Sequence, residues 1–427
     1  MDSIKPAVSS LTALASDSDY DPNSMPVTRA RAHIRAFLTP VTTVERVQVR
    51  SALGRVLAQD ITSGIDVPGQ DNSAMDGYAM RWTDLEADGE TSLRVAGTSF
   101  AGKPYEGTVG ARHAVRIMTG GVVPQGADTV VMQERVTVSG DAVTIPGGQR
   151  KGQNVRAAGC DIGRGQVVFR AGQMVRPAEL GMIASLGIGE VSVYRRLRVA
   201  FFSTGDELVQ IGRPLEPGQI YDSNRYTIYG MLTRLGADII DMGVVRDDPA
   251  AIEQAFSEAE RAADVVITTG GVSVGDADYV KQMLARLGEV LFWKIAMKPG
   301  RPLAYGRIGQ AHFFGLPGNP VSAMVTFYQF VRDALLVLMG VPEPAPLPVL
   351  KARCTSAIRK APGRTEFQRG ILGPGEAGEW TVRVTGDQGS AILSSMSQAN
   401  CFIILPDARG NTPAGATVDV QLLEGLI

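Results

Sequence analysis

The sequence has few residues that bind soft metals or form disulfides. Of its 427 residues, three are histidines and three are cysteines, Cys160, Cys354 and Cys401, which lie far apart. Because no Cys-x-x-Cys pair occurs, the sequence predicts neither a zinc site nor a disulfide framework. The odd number of cysteines is typical of a reducing compartment. Any metal that this protein handles must therefore meet oxygen ligands or arrive with its own soft ligands.

The sequence also lacks an excess of either charge and a long apolar run. Lysine and arginine total 42, and aspartate and glutamate total 44, so there is no overall attraction to nucleic acid or to an anionic membrane. No run approaches the roughly 20 apolar residues of a membrane span, and residues 1–25 are too polar for a signal peptide. We therefore expect a cytoplasmic protein with no nucleic-acid or membrane partner, preceded by a disordered lead-in at residues 1–25.

What the sequence does contain is a succession of regions with different patterns. Residues 26–195 begin with a helical pattern and continue as short β runs, with a β-rich inserted domain at about 67–155. Residues 196–340 alternate apolar strands with amphipathic segments of helix length, which is typical of a parallel sheet with crossover helices. After a proline-rich linker at 341–349, residues 345–427 contain only short strands and glycine turns. The predicted fold class is α/β and β multidomain, with a parallel-sheet α/β domain, an N-terminal β-rich split region and a small, all-β, barrel-like C-terminal domain.

Glycine-rich loops follow two strands of the predicted α/β sheet. The strand ADVVITT leads into GGVSVGD at 270–276, and the strand AHFFG leads into LPGNP at 316–320. Ligands bind beyond the carboxyl ends of the strands in such a sheet, and glycines let the backbone approach a phosphate closely. Either loop alone is more often an ordinary βα turn. Several such loops on one edge favour two phosphate cradles that face one cleft.

Acidic residues stand at the same predicted edge. Glu207, Asp247, Asp276 and Asp278 each follow the end of a strand. Carboxylates beside phosphates commonly bind a hard cation such as Mg²⁺. Helix capping is the alternative, which is the better interpretation for Asp248 and stays open for Asp276. The sequence thus favours a Mg²⁺ and phosphate site at this edge.

A lysine pair gives a further signal of anion binding. In LFWKIAMKPGRP, a strand would place Trp293, Ile295 and Met297 on one face and Lys294 and Lys298 on the other. The apolar face would pack into a core, and the two lysines would point together. A solvated strand face is the alternative. The functional interpretation is a cationic site for an oxyanion or a phosphate.

Seven motifs follow one another along the chain in the order in which a known protein family has them. They are PGQDNSAMDGYAMR, RIMTGGVVPQGAD, STGDEL, TTGGVSVGDADYV, FWKIAMKPGRP, GLPGNPVSAMVTF and PGRTEFQRG. Together they resemble the molybdopterin molybdenumtransferase family, which includes the bacterial MoeA proteins and the E domains of animal gephyrin and its plant counterpart. The resemblance runs from residue 26 onward and implies a MogA-like α/β domain. It implies an enzyme that hydrolyses adenylyl-molybdopterin, releases AMP and inserts molybdenum from molybdate into the dithiolene, giving molybdenum cofactor.

The resemblance also implies catalytic residues in the β-rich region and in the α/β domain, and they are Asp71, Thr119, Glu207, Asp247, Asp278, Lys294 and Lys298. Three of these acids, Glu207, Asp247 and Asp278, would also hold Mg²⁺ among themselves and the substrate phosphates. Mg²⁺ is the one cofactor that the resemblance implies.

Substrate-binding positions follow from the same motifs. The residues that would bind the adenylylated pterin are Gly270, Gly271, Ser273, Gly275, Pro317, Gly318, Asn319, Arg156 and Asp161. For molybdate, the resemblance implies Lys298 and Pro299 with one arginine and one serine of the C-terminal domain. The choice between Arg364 and Arg369, and the choice between Ser390 and Ser395, stay open.

The resemblance implies a homodimer in which the β-rich region of the partner subunit completes the cleft. Molybdopterin adenylyltransferase and downstream cofactor-maturation proteins are further partners that it allows.

Two other functions compete with the metal-inserting reaction. One is adenylyl transfer from ATP to molybdopterin, because TTGGVSVGD is also similar to the adenylyltransferases, which are compact single domains. The other is a non-enzymatic, gephyrin-like scaffold, which would need a fused second module and a long linker.

Overall fold

A computed structural model describes Asp21, residues 23–270, Arg286 and residues 288–423 of the protein. The chain divides into two compact units. The β-rich unit consists of Arg46–Leu53 and Leu57–Ser192. The large unit consists of the chain up to Glu45, Gly54–Val56 and the chain from Val193 onward.

From Asp21 to Tyr194, the residues that the structure describes form two helices and twelve short strands. The helices are α1 (Val27–Phe37) and α2 (Pro177–Ser185), and single 3₁₀ turns lie at Val49–Ala52, Trp82–Asp84 and Gln133–Arg135. The strands are β1 (Val44–Gln48), β2 (Ile61–Thr62), β3 (Asn72–Ser73), β4 (Gly77–Met80), β5 (Thr91–Ser99), β6 (His113–Ile117), β7 (Thr129–Met132), β8 (Thr137–Ser139), β9 (Ala142–Ile145), β10 (Val155–Arg156), β11 (Val167–Phe169) and β12 (Glu190–Tyr194).

A six-stranded sheet forms the centre of the β-rich unit. Its strands lie in the order β7-β4-β6-β5-β9-β8, and all neighbours are antiparallel except β5 and β6. Tyr78 and Met80 of β4 pack into one buried cluster, while Ala79 between them packs into a second cluster. Because successive side chains of a strand point to opposite faces, both faces of this sheet are covered, which explains the uninterrupted apolar run of β4.

Apart from residues 271–285 and 287, which are not described, the α/β part of the large unit contains helices α3 (Ser223–Leu235) and α4 (Pro249–Ala262) and nine strands. The strands are β13 (Arg198–Thr204), β14 (Leu208–Val209), β15 (Ile220–Tyr221), β16 (Asp238–Val245), β17 (Val265–Thr269), β18 (Gly288–Lys294), β19 (Met297–Lys298), β20 (Pro302–Ile308) and β21 (Ala311–Leu316). Six of them form a sheet in the order β16-β13-β17-β21-β20-β18. Only β20 runs antiparallel to its neighbours, so the other five strands end at one common edge.

This sheet confirms the predicted α/β class with one difference, since it is mixed rather than wholly parallel.

Helices α3 and α4 begin and end for local reasons. The carboxylates of Asp222 and Asp248 accept hydrogen bonds from the backbone N–H groups of Arg225 and Ala251, which caps α3 and α4. Helix α3 ends at Gly236, whose φ of 78° is left-handed.

Within the described part of the chain, one helical segment, Pro320–Leu338, is long and apolar enough to cross a membrane by length and composition alone. It consists of α5 (Pro320–Thr326), a π-helical turn at Phe327–Val331 and α6 (Arg332–Leu338). Because 89% of its most apolar window is buried inside the protein, it is a core helix of the large unit.

The C-terminal strands close into a five-stranded barrel. The strands are β22 (Val349–Cys354), β23 (Thr365–Pro374), β24 (Trp380–Val384), β25 (Cys401–Leu405) and β26 (Thr417–Leu422). They pair in the order β23-β24-β22-β26-β25, and β25 pairs again with β23. The barrel-like fold is therefore confirmed. The expectation of a region without helices is wrong, because helix α7 (Leu393–Gln398) lies between β24 and β25.

A buried histidine makes the stability of the large unit depend on pH. The side chain of His312 lies against Tyr305, whose hydroxyl is 3.5 Å from His312 Nδ1, and burial lowers the pKa of His312 to about 4. An unfolded histidine has a pKa of about 6.5, so the unfolded chain binds more protons between these values. The stabilisation is complete above pH 6.5 and is lost as the pH falls toward 4.

We expect the free energy of unfolding to fall by about 2 kcal/mol between pH 7 and pH 5 because of this residue alone. Urea denaturation of the wild type and of His312→Gln at both pH values measures the effect. The variant should lose less stability on acidification than the wild type does, and His113→Gln in the β-rich unit serves as the control. An equal loss in all three proteins would contradict the role of His312.

Candidate active site

A cavity of about 500 Å³ lies in the large unit, where the start of α5 meets the barrel. Its lining contains three cationic side chains, Lys298, Arg301 and Arg364, and one carboxylate, that of Asp387. The carboxylate of Asp387 accepts a hydrogen bond of 2.8 Å from the N–H of Gly389. The excess of positive charge makes this cavity suitable for an oxyanion.

The lysine-bearing segment has the predicted faces but not the predicted single strand. Trp293, Ile295 and Met297 are buried, whereas Lys294 is half-buried and Lys298 is exposed. The segment is nevertheless divided, because β18 ends at Lys294 in the α/β sheet and β19 pairs with β23 of the barrel. Of the two lysines, Lys298 lines the cavity, beside Pro299. Lys294 stands at the carboxyl edge of the α/β sheet.

The two candidate arginines lie in different environments. Arg364 lines the cavity and is exposed. Arg369 is completely buried, and its Nε donates to Ser395 Oγ at 2.9 Å while a terminal nitrogen donates to the Gly389 carbonyl at 2.9 Å. Burial lowers the pKa of Arg369 to about 10. Arg369 thus supports the loop that lines the cavity, and of these two candidates Arg364 is the one that can meet a ligand there.

The two candidate serines also differ, since one lines the cavity and the other is buried behind it. Ser390 lines the cavity, and its hydroxyl accepts a hydrogen bond of 3.0 Å from Asn319 Nδ2. Its carbonyl accepts a bond of 3.1 Å from the Val321 N–H. Ser395 is buried in α7, where its hydroxyl donates to the Ile392 carbonyl at 2.6 Å. Ser390 therefore joins the barrel to the start of α5, and Ser395 belongs to the support behind the cavity.

Gly270, the first residue of one predicted glycine loop, lies against Gly318 of the other at the carboxyl edge of the α/β sheet. The backbone at Gly270 has a φ of +86°, and a Cβ there would lie 2.4 Å from the Thr204 carbonyl oxygen. A Cβ at Gly318 would lie 3.7 Å from the Cα of Gly270, so the backbone of Pro317 and Gly318 lies next to the backbone of Gly270. Only glycine fits position 270. The other predicted cradle residues, Gly271, Ser273 and Gly275, lie outside the described residues.

The predicted Mg²⁺ ligands are described only in part. Glu207 and Asp247 follow the ends of β13 and β16, and both are exposed. The N–H of Asp247 donates to the carboxylate of Asp206 at 3.3 Å. The third acid, Asp278, lies outside the described residues. In the part of the chain that the structure describes, no three His, Cys, Asp or Glu side chains form a group that could hold a metal ion.

In the β-rich unit, Thr119 is tied to the DNSAMDG motif. The carboxylate of Asp76 accepts hydrogen bonds from the N–H of Thr119 at 2.7 Å and from its hydroxyl at 2.8 Å. The backbone bond to Thr119 is the main cause that lowers the pKa of Asp76 below its usual value. The backbone N–H of Gly120 also donates to the Ser73 carbonyl. Two motifs that are distant in sequence therefore form one loop cluster.

The other three predicted residues of this unit join the same cluster. The Asp71 carboxylate accepts a hydrogen bond of 2.8 Å from the Ala158 N–H. Arg156 pairs with Asn72 between β10 and β3. The N–H of Asp161 donates to the Val67 carbonyl at 3.1 Å. Asp71, Thr119, Arg156 and Asp161 thus lie on connected loops of the β-rich unit.

Sequence reasoning missed residues that surround the predicted ones. Arg301, Ser322 and Gln388 line the cavity, and the buried carboxylate of Glu366 stands 3.9 Å from the Lys298 ammonium group. The sequence could have pointed to Glu366. In a strand through PGRTEFQRG, side chains two residues apart lie on the same face, so position 366 would lie beside position 364, which faces the cavity. Its partner, Lys298, is distant in sequence and could not be identified in this way.

Three protein-family models match successive parts of the chain. "MoeA N-terminal region (domain I and II)" matches residues 25–187. "Probable molybdopterin binding domain" matches residues 200–337. "MoeA C-terminal region (domain IV)" matches residues 351–423.

Curated proteins and solved structures resemble the chain over most of its length. A Haemophilus influenzae protein named molybdopterin molybdenumtransferase is 46% identical over 400 residues, which cover 93% of this chain and 98% of that protein. A Nostoc protein of the same name is 36% identical, with 94% of each chain covered. A crystal structure of a molybdopterin biosynthesis moeA protein from Pyrococcus horikoshii OT3 is 30% identical and covers 94% of this chain and 100% of its own, with a TM-score of 0.82.

Proposed function

This chain belongs to the MoeA family, and on that premise we propose that it is a molybdopterin molybdenumtransferase. The reaction would hydrolyse adenylyl-molybdopterin, release AMP and transfer molybdenum from molybdate to the two dithiolene sulfurs of the pterin. The cationic cavity lined by Lys298, Arg364 and Ser390 is the observation that carries this proposal. Molybdate is an oxyanion, and fixed cations with a hydroxyl donor are the groups that bind such an anion.

The geometry also suggests how the two substrates would be held together. The backbone at Gly270 and Gly318, which lies close together at the carboxyl edge of the sheet, would approach the substrate phosphates there. Asn319 follows this loop, and its side chain donates to Ser390 of the cavity. Although Asn319 occupies the capping position of α5, its side chain makes no capping bond. The phosphate loop and the oxyanion cavity are therefore directly joined, which would orient molybdate beside the pterin.

Mg²⁺ remains part of the proposal. Glu207 and Asp247 would hold the ion with the substrate phosphates and with Asp278, which lies outside the described residues. Two exposed carboxylates do not make a complete site, and the described residues contain no group of three. The ion would supply charge neutralisation at the phosphates. The roles given to the cationic cavity and the glycine loops do not depend on it.

The β-rich unit would contribute to the active site of a second subunit when two copies of the protein assemble. Asp71, Thr119, Arg156 and Asp161 lie on connected loops, and we propose that these loops complete the cleft of a second subunit in a homodimer. Molybdopterin adenylyltransferase as the supplier of substrate, cofactor-maturation proteins as recipients of the product and a cytoplasmic location belong to the same proposal. Light scattering of the purified protein would report the oligomeric state.

An in vitro assay tests the proposed function. Purified protein is mixed with adenylyl-molybdopterin, Mg²⁺ and increasing molybdate, and the release of AMP is followed together with active cofactor. We expect both products to depend on molybdate. In a parallel reaction with ATP and molybdopterin, accumulation of adenylyl-molybdopterin would instead identify an adenylyltransferase. Absence of product in both reactions would favour a scaffold.

A further inference from the structure

A buried carboxylate faces the principal lysine of the oxyanion cavity. Glu366 Oε1 lies 3.9 Å from Lys298 Nζ, and the side chain of Glu366 is only 7% exposed while that of Lys298 is 52% exposed. The pairing of β19 with β23 causes this contact, because it places Lys298 directly opposite Glu366. A negative charge beside a cavity for an anion opposes binding, so its position calls for an explanation.

Glu366 is the fixed member of this pair. Its Oε2 accepts a hydrogen bond of 2.8 Å from Gln368 Nε2, and Gln368 is itself buried. The backbone of Glu366 lies in β23 and pairs with Leu405 of β25, inside the barrel wall. Lys298, in contrast, has a side chain that is about half exposed, with its ammonium group on a flexible stem. The lysine is therefore the member that can turn from the carboxylate toward a ligand.

This arrangement suits a protein that must pass the metal of its bound oxyanion on to a second substrate. A lysine that interacted with molybdate alone would hold it tightly, and tight binding of a substrate before the reaction slows its conversion. A fixed carboxylate that shares the lysine weakens the bound state and provides the ammonium group with a partner when the oxyanion leaves.

We propose that Glu366 is a positioning residue that competes with molybdate for Lys298 and thereby limits the affinity of the cavity. This inference rests on the proposed function, because it assigns a molybdate-binding role to Lys298. It predicts that the neutral isostere, Glu366→Gln, binds molybdate about tenfold more tightly. The glutamine keeps an oxygen acceptor for Gln368, so the barrel should fold normally.

Calorimetric titration of the full-length protein with sodium molybdate alone measures the affinity without pterin chemistry. We expect the dissociation constant of Glu366→Gln to fall about tenfold and that of Glu379→Gln to stay within twofold. Glu379 is the matched control, since it pairs with Arg353 elsewhere on the barrel. A wild-type protein that binds no molybdate would contradict the proposed function itself. Wild-type binding without tightening in Glu366→Gln would overturn this inference alone.

Two further measurements distinguish competition from simple structural support. In the complete reaction, both the KM for molybdate and kcat should fall in Glu366→Gln, because the anion binds more tightly and transfers more slowly. A higher KM would show that Glu366 only orients Lys298, and it would overturn the proposal. In a Lys298→Ala background, Glu366→Gln should change the dissociation constant by less than twofold. A persistent tenfold gain there would mean that Glu366 repels the oxyanion directly, which would also overturn it.

Discussion

Replacement of Lys298 with alanine is expected to lower the kcat/KM for molybdate about a hundredfold, the usual cost of removing one donor from a site that stabilises an oxyanion. Lys298 lines the cationic cavity, and the pairing of β19 with β23 fixes its backbone at that place. Because its side chain is 52% exposed, the protein should remain folded. The binding of adenylyl-molybdopterin should change less than the dependence on molybdate.

The measurement is the initial rate of cofactor formation at saturating adenylyl-molybdopterin and increasing molybdate. Lys351→Ala is the control, because Lys351 is an exposed barrel lysine that pairs with Asp419 rather than lining the cavity. Lys351→Ala should behave like the wild type. If Lys298→Ala kept the molybdate dependence of the wild type, the cavity would not be the molybdate site.

The second large effect is expected at Gly270, which begins the glycine-rich loop. An alanine Cβ there would lie 2.4 Å from the Thr204 carbonyl oxygen, and the φ of +86° is itself unfavourable for alanine. We expect Gly270→Ala to lower the free energy of unfolding by about 3–4 kcal/mol, of which the left-handed backbone accounts for about 1–2 kcal/mol and the collision for the rest. Hydrolysis of adenylyl-molybdopterin should be lost as well, because the collision with Thr204 displaces the backbone proposed to bind the phosphates.

Gly212 provides a matched control for this prediction. Its φ of +85° equals that of Gly270 within one degree, but a Cβ at Gly212 meets no atom within 4 Å. Gly212→Ala should therefore show only the backbone strain, about 1–2 kcal/mol, with normal hydrolysis of adenylyl-molybdopterin. Denaturant unfolding and AMP release measure both properties. Equal destabilisation of the two variants would show that no close contact exists at Gly270.

Local periodicity predicted the faces of the lysine segment correctly. Trp293, Ile295 and Met297 are buried and Lys298 is exposed, because alternation along an extended chain needs no knowledge of its neighbours. The same pattern could not show that the segment leaves one sheet after Lys294 and enters another at Met297. That change depends on which strands lie alongside, and those strands come from distant parts of the chain.

The sequence by itself determined the fold class, the glycines Gly270 and Gly318 at the carboxyl edge and the set of residues from which an oxyanion site could be built. These features follow from local patterns of apolar, glycine and charged residues. Only the tertiary structure decided that Arg364 and Ser390 reach the cavity while Arg369 and Ser395 support it from inside the barrel. The physical reason is burial, because an arginine or a serine has the same chemistry at either position and only the closure of the barrel determines which of them meets the ligand.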